Sequence, residues 1–125
     1  MQVGCHGLVW TGVFDRAGVV LAAGRTRDSG FDLIEFPLMD PFSFDPEAAS
    51  DALRANKLAA TASLGLSEAT DISSDDLEVV SAGNRLLNQA LDVAVAMGAK
   101  HLCGVLYSAM RKYMHPATPT GRARR

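Results

Sequence analysis

Four short apolar runs, three of them followed by a segment with helical spacing, divide the 125 residues into a repeating strand-helix rhythm. Such alternation predicts a parallel sheet covered by helices, with chemistry at the C-terminal ends of the strands. The first run, Gln2 to Val9, sets small residues among apolar ones and reads as a strand. Helix one carries Val19, Val20, Ala22, Ala23 and Thr26 and stops at Gly30; strand two is the nearly continuous run Phe31 to Phe36. That continuity predicts burial on both faces, with Pro37 ending the pairing.

The later units follow the same pattern. Asp45 and Pro46 open helix two, since the carboxylate accepts free backbone N–H groups and a first-turn proline loses no needed donor. Its packing face is Ala48, Ala49, Ala52 and Leu53. Strand three runs from Leu58 to Leu64, and a polar loop through Gly65, Ser67, Thr70 and Asp71 leads to helix three, capped by Ser74 or Asp75 and closed by Gly98. Val79, Val80, Leu86, Leu87, Leu91 and Val95 mark that helix at a 3.6-residue period. Strand four is His101 to Tyr107, and a fourth helix is expected near Thr118.

Length and composition bound these readings. With 48% hydrophobic and 21% charged residues, one globular domain over residues 1–125 is expected. A complete strand-helix barrel takes about 250 residues, so a small doubly wound sheet and part of a barrel both remain open at this point. The N-terminus lacks a targeting pattern and no run approaches a membrane span, so a cytoplasmic chain with no membrane partner is expected. Cys5 and Cys103 fall in strand-like runs and read as buried structural thiols. The 14 acids all lie between Asp15 and Asp92, whereas Arg111, Lys112, Arg122, Arg124 and Arg125 make the end basic. No nucleic-acid recognition pattern accompanies that charge, and no nucleic-acid partner is expected.

Candidate chemistry gathers at the predicted strand ends: His6, Glu35, the Ser63 to Leu66 turn, and Tyr107 with its following loop. His6 is read as a ligand contact or a base, with a satisfied core or rim histidine as the alternative. Glu35 is an isolated carboxylate in an apolar strand, costly to bury without a partner, and is a possible pocket carboxylate. Asp71, Asp75 and Asp76 read as helix caps. Dinucleotide, phosphate-loop, zinc and nucleophile-elbow motifs are absent from the sequence.

Three stretches, Gly30-Phe31-Asp32-Leu33-Ile34-Glu35, Ser63-Leu64-Gly65-Leu66, and Asp71 to Asp76 with Ala82-Gly83, together resemble the N-terminal half of ketose 3-epimerases of the tagatose/psicose type. These are sugar isomerases of the xylose-isomerase-like superfamily, and the resemblance runs from about Val3 to Tyr113. It implies an α/β fold, a partial (β/α)8 TIM barrel of four strands and three complete helices, and a parent reaction of metal-dependent C3 epimerisation through an enediolate. It also implies a manganese, magnesium or cobalt ion for the full-length family, with none expected for this chain alone. By resemblance, His6, Ser63, Val105 and Met110 fall at substrate-contacting positions, His6 replacing an aromatic and Met110 standing where some relatives have Trp.

No residue here matches the family's catalytic glutamates or metal ligands, so none is assigned and the isolated chain is expected to be inactive. A homo-oligomer acting on a ketose is the expected state of the parent. The alternative is a non-catalytic assembly module that dimerises or docks with a C-terminal half barrel.

Overall fold

The computed structural model describes residues 1–113. Four strands, β1 (Gly4–His6), β2 (Leu33–Pro37), β3 (Ala59–Leu66) and β4 (Leu102–Ala109), form one sheet in the order β1-β2-β3-β4. All three pairings are parallel. Helices α1 (Arg16–Asp28), α2 (Pro46–Asn56) and α3 (Leu77–Met97) make the crossovers. Every strand adds on the same side of its predecessor, as in a strand-helix barrel, whereas a doubly wound sheet reverses its order.

Each helix begins on an aspartate. Asp15 accepts from the Gly18 N–H, Asp45 from Ala48 at 2.9 Å, and Asp76 from Glu78 at 2.9 Å. Pro46 occupies the first turn of α2, and Lys57 ends it in the left-handed conformation. The core lies between helices and sheet. Ile34, Phe36, Ala60, Ala62 and Leu64 pack against Val19, Ala22 and Ala23 of α1, Ala49, Ala52 and Leu53 of α2, and Ala90, Val93, Ala94 and Met97 of α3. Phe36 is the centre of this layer, with Phe14 and Phe44 meeting it edge-on at 6.3 and 5.8 Å between centroids.

Several expected boundaries move. Strand one ends at His6, because the chain turns into a 3-10 segment over Gly7–Val9 whose cap is the His6 ring. Pro37 remains in the pairing opposite Ser63: a proline lacks only the donor, and the next N–H, from Leu38, reaches Ser63 O at 2.7 Å. Strands three and four run two residues further than expected, so the supposed Ser63 to Leu66 turn is strand and Ser108 belongs to β4. Of the residues read as caps near this helix, Asp76 caps α3, and Ser74 and Asp75 do not.

Burial also departs from expectation. Strand two is fully covered on its helix face only, with Ile34 and Phe36 buried; on the other face Leu33 and Glu35 are half-buried and Pro37 alone is buried. On α3, Leu91 and Val95 are exposed, while Gly83, Ala90, Val93, Ala94 and Met97 are buried. The small residues let the helix lie close to its neighbours, a signal that apolar size alone does not give. Cys5 is half-buried and Cys103 exposed, so the buried-thiol reading fails for Cys103. The fourth helix expected near Thr118 lies outside the described residues. Among the described residues no helix is long and apolar enough to cross a membrane.

Candidate functional site

Alternation along the strands sends a second set of side chains to the face away from the helices. Register places them in rows. His6 lies opposite Glu35 and Glu35 opposite Thr61; one step further, Pro37, Ser63 and Cys103 are partners; Gly65 then faces Val105. The rows climb toward the strand C-termini and change from charged and polar to apolar.

Glu35 is the anchor of the lower row. Its Oε1 accepts from the Thr61 hydroxyl and the Cys103 thiol, both at 3.3 Å, and its Oε2 lies 3.4 Å from His6 Nε2. His6 Nε2 is also 3.1 Å from Ser63 Oγ, and the Leu8 N–H donates to His6 Nδ1 at 3.2 Å. Desolvation first, and then the Glu35 carboxylate, push the Cys103 thiol above its ordinary range. It therefore stays protonated at neutral pH and serves Glu35 as a donor.

Above these rows a cleft of about 420 Å³ opens at the strand C-terminal ends, within the range of small-molecule sites. His6, Ser63, Val105 and Met110 all line it, together with Leu8, Pro37 and Met39. Met110 owes its seat to Gly65, since a Cβ at that position would collide with the methionine sulfur. Gly104, at φ 126°, passes close over the Leu64 carbonyl, where a side chain would not fit.

Behind Met110 the loops after β3 and β4 are tied together. Lys112 Nζ donates to Asp71 Oδ2 at 2.7 Å and to Ser73 Oγ at 2.9 Å, while Asp71 Oδ1 accepts from the Ser73 hydroxyl at 2.7 Å and its N–H at 2.9 Å. Lys112 first, then Ser73, hold the Asp71 carboxyl far below the usual carboxylate range. Asp71 is thus the buried half of an ion pair whose lysine remains solvent-accessible, rather than the helix cap expected of it.

A larger cleft of about 820 Å³ lies at the opposite end of the sheet, between Gln2, Lys57, Ala59 and His101. It sits at the strand N-termini, the end that in strand-helix barrels serves stability rather than chemistry.

The structure therefore brings four of the expected contact residues to one cleft and sets Glu35 beneath it. Tyr107 does not join them; it lies within β4, is exposed and does not line the cleft. Thr61, Cys103, Leu8, Pro37 and Met39 were not anticipated. The alternation of Ala59, Thr61 and Ser63 with Ala60, Ala62 and Leu64 carries the signal for Thr61. Among the described residues no group of three or more His, Cys, Asp or Glu side chains is gathered as a metal ion requires, so these side chains do not fit a resident metal.

No protein-family model matches the chain. A ketose 3-epimerase of Arthrobacter globiformis is 61% identical over 123 residues, which cover 98% of this chain and 43% of that protein. An L-ribulose 3-epimerase of Methylomonas sp. strain DH-1 is 43% identical over the same share of each. The crystal structure of a Methylomonas sp. D-allulose 3-epimerase in complex with D-allulose superposes with a TM-score of 0.86 at 42% identity, covering 98% of this chain and 43% of that one. The chain thus spans about two-fifths of the length of the relatives it matches, and its four strands and three helices match part of a strand-helix barrel.

Proposed function

We propose that this chain, a homologue of the ketose 3-epimerases, forms over residues 1–125 the N-terminal half of a (β/α)8 barrel and supplies the substrate-facing rim for C3 epimerisation of a ketose. The observation that carries the reading is the convergence of His6, Ser63, Val105 and Met110 on one cleft at the strand C-terminal ends. A ketose has a hydroxyl-bearing edge and C–H faces, and the cleft is matched to both. His6 and Ser63 give it a polar side, while Leu8, Met39, Val105 and Met110 give it an apolar wall.

These residues bind and orient; none of them moves the proton at C3. Epimerisation through an enediolate needs a base on one side of that carbon and an acid on the other. The divalent ion that the resemblance implies, manganese, magnesium or cobalt, would polarise the sugar oxygens when bound. Its ligands, like the acid and base, come from outside the described residues. We further infer a cytoplasmic homo-oligomer with no nucleic-acid or membrane partner.

The test is a chimera in which this chain replaces the equivalent 123 residues of the Arthrobacter globiformis relative. Metal-dependent interconversion of ketoses at C3, followed by chromatography, is the expected result, with no turnover by the 125-residue chain alone. A folded chimera without turnover, or turnover by the isolated chain, overturns the proposal.

A further inference from the structure

We propose that Ser63 presents a fixed hydrogen-bond donor to the ligand, with His6 and Glu35 as positioning residues behind it; only the identification of the ligand as a ketose rests on the reading above. The argument starts from the ring of His6. The Leu8 N–H donates to Nδ1 at 3.2 Å, because His6 caps the 3-10 segment that begins at Gly7. A nitrogen that accepts a backbone N–H carries no proton of its own. In the neutral ring the proton therefore sits on Nε2.

Nε2–H faces two oxygens, Ser63 Oγ at 3.1 Å and Glu35 Oε2 at 3.4 Å. Glu35 is held in that position by the Thr61 hydroxyl and the Cys103 thiol, which both donate to its other oxygen. With Nε2 donating, Ser63 Oγ is the acceptor, and its own hydrogen must point elsewhere. Among the described residues no group accepts it, and Ser63 lines the cleft. The hydroxyl hydrogen is left for the ligand.

Two consequences follow for the chemistry. The ligand atom that meets Ser63 is an oxygen acting as acceptor, such as a keto oxygen or the lone pair of a sugar hydroxyl. His6 has no free lone pair, since Nδ1 is occupied and Nε2 is protonated, so it orients Ser63 and does not act as a base. A preset donor of this kind costs no reorientation when charge develops on the oxygen it faces.

The primary experiment reads the tautomer directly, in the full 125-residue chain labelled with ¹⁵N at the histidine rings. Two-bond ¹⁵N–¹H correlation spectra at neutral pH, with His6 assigned by the signal lost in His6→Gln, are expected to show the neutral Nε2–H form. An Nδ1–H tautomer or an imidazolium overturns the proposal. In Glu35→Gln an amide N–H competes for Nε2, and a mixture of tautomers is expected; an unchanged spectrum removes Glu35 as a positioning residue.

The same spectra are recorded on the chimera, so that the tautomer measurement does not depend on one polypeptide folding, and the chimera also supplies the steady-state kinetics. There Ser63→Ala is expected to lower kcat/KM about tenfold, the loss of one hydrogen bond, and Ser63→Thr, which keeps the hydroxyl, to recover most of it. Failure of Ser63→Thr to recover the loss overturns the donor assignment. An Nε2–H ring in a folded chimera without turnover supports the relay and overturns the epimerase reading alone.

Discussion

A carboxylate as enclosed as that of Asp71 is costly unless a cation and hydrogen-bond donors hold it, and Lys112 and Ser73 supply both. The pair has a directional effect on stability. Held by Lys112 first, Asp71 titrates in the folded chain well below its ordinary value of 3.8. As pH falls past that value the unfolded chain takes up the proton while the folded chain does not. The stabilisation is therefore full above about pH 4 to 5 and drains away below it. Melting temperatures of the chain and of Asp71→Asn are expected to differ most near neutral pH and to converge as the pH falls below 3.8; a gap that stays constant from neutral pH to acid contradicts this account. Met110 stands two residues before Lys112, so the same pair fixes one wall of the cleft.

At the level of elements, what could be read from the sequence was whatever is decided locally. Asp45-Pro46 announces the start of α2, and its buried face of Ala48, Ala49, Ala52 and Leu53 is the one the spacing predicts. Asp45→Ala is expected to cost about 1 kcal/mol, seen as a lower urea midpoint with an unchanged denaturant slope. Strand ends are decided by partners instead. β3 runs on to Leu66, whose carbonyl accepts the Met110 N–H at 2.8 Å, a contact no local pattern announces. The candidate site divides in the same way. His6, Ser63, Val105 and Met110, singled out together by family resemblance, line one cleft, and Thr61 was legible from alternation on β3. The tie between Asp71 and Lys112 joins loops after different strands and leaves no trace in spacing.

For the molecule as a whole, β1 and β4 are the sheet's two edges among the described residues. Unpaired strand edges are templates for association. The 125-residue chain is expected to self-associate with rising concentration in sedimentation velocity, and a strictly monomeric species throughout contradicts that expectation. The order β1-β2-β3-β4 has another consequence, for the way the protein is made. Each strand pairs with the one just before it, so an emerging strand finds its template already synthesised. Each pairing joins consecutive strands across a single helical crossover, and domains are built from the N-terminus as the ribosome delivers them. The sheet can assemble in the order of translation, each new unit settling on a surface that the previous one has completed.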